Sequence, residues 1–275
     1  IAAVIAVIYA LSLPNIYKST VLLAPVEDSQ SGGMSGISAK FGGLAAIAGI
    51  NLGGAVADKA TIALEIIKGK VFIAEFINAH NLKPILMGAD GWNQSTNKLT
   101  YDSDIYNPET ETWLREVDGY KQAEPSNFEI HEYFIKENLS VIPDKETGLV
   151  VLSIKHYSPY VAKQISEQLV IAINEKLRND DIHEANRSIE YLQSALNGSP
   201  IADMQKVFYQ LVEQQEQTKM LASVREQYAL KVINPAVVEE NKYGPKRGVI
   251  CIISIIIAGG VAVLFVLLRH FIKQL

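Results

Sequence analysis

The chain has one cysteine in 275 residues, and that residue, Cys251, sits inside an uncharged apolar run, so neither a disulfide framework nor a cysteine-built metal cluster is open to it. It also lacks a basic excess. All 30 acidic residues fall between Pro14 and Arg247, together with all but two of the 25 Lys and Arg. A net negative, mixed-sign surface excludes the phosphate-tracking footprint of a nucleic-acid binder.

Catalytic templates are missing too. Gly69-Lys70 is followed by Val71, and Leu64 stands where a phosphate loop would carry its leading glycine. His131-Glu132 and His183-Glu184 each open like a zinc-protease helix, but Ile135 and Arg187 occupy the place of the second histidine. Ser35 lacks the second glycine of a nucleophile elbow. Asp180, His183 and Glu184 share helical spacing, yet Arg178 and Arg187 lie beside them, and the reading preferred is a solvated helix face. Asp102, Asp104, Glu109 and Glu111 stand among turn residues and read as surface. No catalytic residue, metal ligand or cofactor is assigned, and the chain is not read as an enzyme.

What is present begins at the ends. Residues 248–268 carry no charge and, at ~1.5 Å per helical residue, reach about 31 Å, the length of a bilayer-spanning helix. Lys246-Arg247 precede the run, and Arg269 and Lys273 follow it. Gly259-Gly260 within it would let another helix approach closely. Ile1 to Leu13 is also uncharged but only ~20 Å long, and reads as the tail of a first span halted by Pro14.

Between these ends, Tyr17 to Pro25 reads as a strand. Residues 29–54 are rich in Gly, Ser and Ala, polar first and then small and apolar. Asp58 is expected to cap one helix running to about His80. From Leu86 to Asn127 the pattern supports a loop and a short helix, with Trp92, Tyr101, Tyr106, Trp113 and Tyr120 read as a small satellite core in preference to a sugar-stacking platform. Leu139-Ser140-Val141-Ile142 and Leu149 to Ile154 flank the turn Asp144 to Gly148 and predict a β-hairpin.

Ser158-Pro159 starts a long helix and Asn197-Gly198 stops it. Ser199-Pro200 starts a second helix, expected to reach about Lys231, so that the two form a hairpin ~60 Å long. Ile189 and Leu192 lie on the apolar seam and are candidate subunit-interface residues, because a two-helix arm leaves apolar surface for a neighbour. Lys231-Val232-Ile233, before Asn234-Pro235, reads as an edge strand returning to the base.

This arrangement resembles the Wzz family of polysaccharide co-polymerases, the O-antigen chain-length determinants. The resemblance rests on the strand Tyr17 to Pro25, the block Gly42-Gly43-Leu44-Ala45-Ala46-Ile47-Ala48-Gly49-Ile50, the helix Ala63 to Ile67, and Ile233-Asn234-Pro235-Ala236 leading to Pro245-Lys246-Arg247. It implies an α+β membrane protein: a membrane-proximal α/β base domain with a long projecting helical hairpin, flanked by two transmembrane helices. The segments are then 1–13, truncated span; 14–157, base; 158–231, hairpin; 232–247, return strand and approach; 248–268, second span; and 269–275, tail. The resemblance further implies a homo-oligomeric ring, such as an octamer, in a bacterial inner membrane, with a periplasmic domain and both termini cytoplasmic. Its implied partners are the O-antigen polymerase, undecaprenyl-linked glycan and membrane lipid, and its implied role is to set glycan length without catalysis. A capsule, exopolysaccharide or enterobacterial-common-antigen co-polymerase, or a membrane-anchored sensor, is an alternative. The kinase-bearing exopolysaccharide class and the sensor are both disfavoured by an expectation that the chain stops soon after its second span.

Overall fold

The computed structural model describes residues 2–26, 59–198 and 202–274. Helix α1 (Ala2–Ser12) leads into β1 (Tyr17–Pro25), the inner strand of a four-stranded antiparallel sheet. Its neighbours are β7 (Val150–His156), which also pairs with β6 (Leu139–Pro143), and β8 (Leu230–Asn234) at the opposite edge. Tyr17, Ser19, Val21 and Leu23 alternate with more exposed residues, so one face of β1 is buried and the other half-open, as a period-two pattern dictates. The hairpin β6–β7 pairs Leu139 with Ile154 and Pro143 with Val150 around the expected turn, where Asp144 Oδ1 accepts the backbone N–H groups of Glu146 and Thr147.

The expected single helix ending near His80 is instead two, α2 (Lys59–Lys68) and α3 (Lys70–Ala79), broken at Gly69. Gly69 adopts an extended conformation (φ −69°, ψ 139°) and donates its N–H to the Ile66 carbonyl. A Cβ there would lie 3.0 Å from that same oxygen, so the corner favours glycine. Asp58 and the block Gly42, Gly43, Leu44 and Gly49 lie outside the described residues.

From Leu86 to Asn127, in place of a loop and short helix, the chain forms two small hairpins before it enters a helix. Strands β2 (Ala89–Asn93) and β3 (Lys98–Tyr101) pair, as do β4 (Tyr106–Asn107) and β5 (Thr112–Trp113), and α4 (Asn127–Tyr133) follows. Asn93 and Asn107 make the turns, each accepting two backbone N–H groups with its side-chain oxygen. Helix α4 begins with a full capping box between Ser126 and Glu129. Arg115 adds bonds to both Glu129 carboxylate oxygens and to the Ala123 carbonyl, and holds the Glu129 carboxyl down at about 2. Two π-turns, Pro84–Gly88 and Phe134–Asn138, deliver the chain directly into β2 and β6.

Helix α5 (Pro159–Gly198) starts where Ser158-Pro159 predicts and is ~60 Å long. Ala162, Ile165, Leu169 and Ile173 in its first half are buried where α5 packs on the sheet and on α2, and share one core with Val21, Leu23, Ile67, Ile73, Ile77, Phe134, Leu152 and Ile154. Its second half packs on α6 (Ala202–Val224), where Ala222 is the buried residue of α6 among those described.

Helix α6 stops at Val224, earlier than the expected Lys231, because the next residues are captured by Asn174. The Asn174 side-chain oxygen accepts the N–H groups of Tyr228, Ala229 and Leu230 at 2.8–3.0 Å, while its nitrogen donates to the carbonyls of Leu230 and Val170. The returning chain then forms β8 on the free edge of β1, with a register shift between Leu22 and Leu23.

Helix α7 (Arg247–Gln274) packs against α1. Among the described residues, no helix is long and apolar enough to cross a membrane. This corrects the expectation of two flanking transmembrane helices: over the described residues, neither α1 nor α7 combines the length and the unbroken apolar character that a hydrocarbon core of about 30 Å demands. The inferred placement of both termini across a bilayer loses its support with them.

Two outcomes follow from the buried polar groups. Asn174→Ala leaves three backbone donors and one non-helical carbonyl without a partner, and is expected to lower unfolding free energy by about 3 kcal/mol or more in urea titrations. Asn174→Asp keeps the acceptor and is expected to lose less; an Asn174→Ala protein within ~0.5 kcal/mol of the parent would mean that the carboxamide does not hold the returning chain.

The second outcome concerns pH. His156 is buried, donates Nε2–H to the Ile85 carbonyl and accepts the Ser158 N–H at Nδ1. Burial pushes its pKa down to about 4, against an unfolded value near 6.5. The unfolded chain therefore binds the extra proton first, so the stabilisation is complete above about pH 6.5 and declines as pH falls toward 4. His156→Gln should flatten the stability profile across that window, measured as the difference between the two proteins' urea midpoints from pH 7 to pH 4.

Candidate functional site

The end of the base from which α1 and α7 leave is stitched shut. Ile16 N–H donates to the Gly244 carbonyl at 2.9 Å, and Tyr243 N–H donates to the Ile16 carbonyl at 2.8 Å. Arg247, the first residue of α7, donates from Nη2 to the Leu13 carbonyl and to Asn15 Oδ1. Pro235 ends β8, and Pro245 and Lys246 lead into α7. On the open face of the sheet, the Lys18 and Lys155 ammonium groups lie 5.4 and 5.9 Å from the Tyr243 ring centroid.

Beyond that junction the paired helices expose an apolar surface that includes Val7, Ile8, Leu11, Ile252, Ile255, Ile256 and Ile257. A Cβ added at Gly259 or Gly260 meets nothing within 4 Å among the described residues. An apolar surface of this extent marks a place of contact with lipid or protein.

The arm has the opposite character at its seam and its surface. Ile189 and Leu192 are 7% and 8% exposed and sit inside the hairpin, whereas Tyr191 and Tyr209 are 74% and 65% exposed. The large side chains that the arm offers to another molecule therefore include these tyrosines, with Met204, Met220 and Val224 on α6, and the seam pattern did not single out the tyrosines.

A polar cluster fastens the root of the arm. Lys59 Nζ lies 3.0 Å from Asp181 Oδ2 and 2.9 Å from the Tyr228 hydroxyl, which itself donates to Asp181. Burial alone would lower the Lys59 pKa, but the hydrogen bonds to Tyr228 and Asp181 outweigh it and raise the value. Burial, and then the bond to Asp181, push Tyr228 up to about 12. An ammonium that stays charged and a phenol that stays neutral form an anchor between α2, α5 and the β8 approach, with no proton to exchange near neutral pH.

The remaining sequence candidates disperse. Both Asp180 oxygens are engaged by Lys176 at 2.7 Å, as a helix-surface pair. Asp102 accepts the Asp104 N–H within a turn, and Glu111 has φ 53° in the β4–β5 turn. Tyr101, Tyr106 and Trp113 form a chain of ring contacts with centroids 5.6 and 5.0 Å apart. Trp92 leaves that group for Tyr17 and Tyr160, and Tyr120 stands exposed.

No family model and no curated protein matches the chain. Among solved structures, the chain is similar to a full-length bacterial polysaccharide co-polymerase at a TM-score of 0.34 and 11% identity, over 99% of this chain and 94% of that one. It is also similar to a fragment of WzzB, a polysaccharide co-polymerase from Salmonella Typhimurium, at a TM-score of 0.30 and 13% identity, over 84% of this chain and 100% of that one. Both of these structures are polysaccharide co-polymerases.

Proposed function

We propose that the chain is a non-catalytic polysaccharide co-polymerase that sets the length of a bacterial glycan. The observation that carries this reading is one of architecture: an α+β base whose two chain ends are tied at Ile16 and Gly244 supports the ~60 Å helix α5, whose outer half is partnered, among the described residues, by the ~35 Å helix α6 of its own hairpin. The motif order quoted from the sequence supports the same reading. The Asn174 carboxamide and the Lys59, Asp181 and Tyr228 cluster are engaged with internal partners and serve as fasteners, which suits a protein that acts by shape and assembly.

In this proposal the domain is periplasmic and membrane-associated, with the apolar surface of α1 and α7 against lipid. Copies of the chain associate along their arms into a ring, with Tyr191 and Tyr209 at the contact and Ile189 and Leu192 holding each arm together behind it. The polymerase and its lipid-linked glycan are the partners, and O-antigen is the product the motif resemblance favours.

Expression in a bacterium deleted for its own length determinant tests the reading. A modal glycan length is expected on gels where the deletion alone gives a broad distribution; an unaltered distribution, with the protein present at the membrane, would sink the proposal. The paired change Tyr191→Asp and Tyr209→Asp should leave circular dichroism unchanged and reduce oligomer mass in solution. Full retention of oligomers would exclude these tyrosines from the contact.

A further inference from the structure

A cavity of about 280 Å³ opens where the end of α1 meets the β2–β3 hairpin, lined by Pro14, Asn15, Tyr17, Gly91, Trp92, Gln94, Thr100 and Tyr157. Its volume is at the small end of ligand sites. Its lining contains no charged side chain, three aromatic rings and three side chains with amide or hydroxyl groups besides the Tyr17 and Tyr157 phenols.

The cavity is built rather than incidental. Trp92 is fixed by its indole N–H, which donates to Asn97 Oδ1 at 2.9 Å, and by the Tyr17 ring, edge-on at 5.6 Å and 84°. Tyr160 supports it from a third side, at 6.1 Å. Gly91 lies so close to its cross-strand partner that a Cβ would meet Thr100 Oγ1 at 2.8 Å, so a side chain there would displace the Thr100 hydroxyl. Asp90 holds Thr100 by accepting its hydroxyl proton at 2.7 Å.

The electrostatics select among ligands. Burial, then the neighbouring Asp90 and Glu137 carboxylates, raise the Tyr157 pKa, so its hydroxyl stays protonated, while the Arg247 guanidinium on Asn15 Oδ1 offsets those carboxylates on the other side of the cavity. With no cationic side chain in the lining to hold an anion and no carboxylate to hold a cation, the cavity has no charged anchor for an ion. A small neutral molecule with an apolar ring face and hydroxyls at its rim fits what remains.

We infer that this cavity binds a single neutral sugar ring, its apolar face toward Trp92 and its hydroxyls on Asn15, Gln94, Thr100 and Tyr157. The inference does not require the co-polymerase reading. Binding is measured on the purified chain, so an empty result here leaves the length assay untouched, and failure of that assay leaves this cavity standing.

Trp113→Phe leaves Trp92 as the chain's remaining tryptophan of two and makes its fluorescence a direct reporter. The probes are the methyl glycosides of glucose, galactose and mannose, and N-acetylglucosamine, with glucuronate and inorganic phosphate as anionic controls. A saturable change with a midpoint on the order of millimolar is expected for at least one neutral sugar, as befits a ligand of about a dozen heavy atoms. Gln94→Ala, at an exposed position, should weaken it about fivefold, the loss of one hydrogen bond, without disturbing the fold. Calorimetry on Trp92→Ala should show no binding. The inference is overturned if no neutral sugar gives a saturable response up to roughly 50 mM. It is equally overturned if the anions bind as well as the sugars, or if Gln94→Ala binds with parental affinity.

Discussion

One carboxamide decides how this chain closes. Asn174 sits 4% exposed on α5, where a polar side chain is admissible only if its hydrogen bonds are made inside the protein. It meets that condition by fixing three consecutive backbone N–H groups, and so sets where α6 ends, where β8 begins and which residues face β1. The Lys59, Asp181 and Tyr228 cluster depends on it, because Tyr228 is the first residue so held. An apolar residue of the same size would fill the space and leave the return path undefined.

Around that hub the molecule divides by how its surface is buried. The base has a two-sided core in which sheet, α2, α3, α4 and the first half of α5 share buried side chains. The arm has a single seam, with Ala185, Ile189 and Leu192 on one helix and little buried on the other. Stability is therefore concentrated at the root, and local opening of the arm is expected to require far less free energy than opening the base.

Legibility in the sequence follows the same division. Local signals placed the β6–β7 hairpin, whose turn is written in Asp144 and Gly148, and the start of α5 at Ser158-Pro159. They also placed β8 as an edge strand before Pro235. What escaped was set by distant partners or by turns that mimic other patterns. The end of α6 depends on a residue 50 positions earlier. The corner at Gly69 looks, in an apolar periodic run, like a tolerated glycine. The small hairpins after Leu86 were hidden because the turns at Asn93 and Asn107 carry strands too short to show alternation. The aromatic region was read as one satellite core, which holds for Tyr101, Tyr106 and Trp113; Trp92 is drawn to Tyr17 by a sheet contact that no spacing encodes. The apolar ends were read by length and charge alone, and that reading did not survive the structure.

The sheet order has a consequence for how the protein is made. Strand β1 is synthesised first, yet both of its partners, β7 and β8, come from far along the chain. At about 5–20 residues per second, roughly 130 residues of synthesis keep β1 without its first partner for on the order of ten seconds, and longer without its second. During that interval Val21, Leu22 and Leu23 present an unpaired apolar strand with two open edges, the element most prone to wrong pairing. The lysine at position 18 and the proline at position 25 are the kind of residues that limit such pairing, so the flanks of β1 carry a kinetic safeguard as well as a place in the finished sheet.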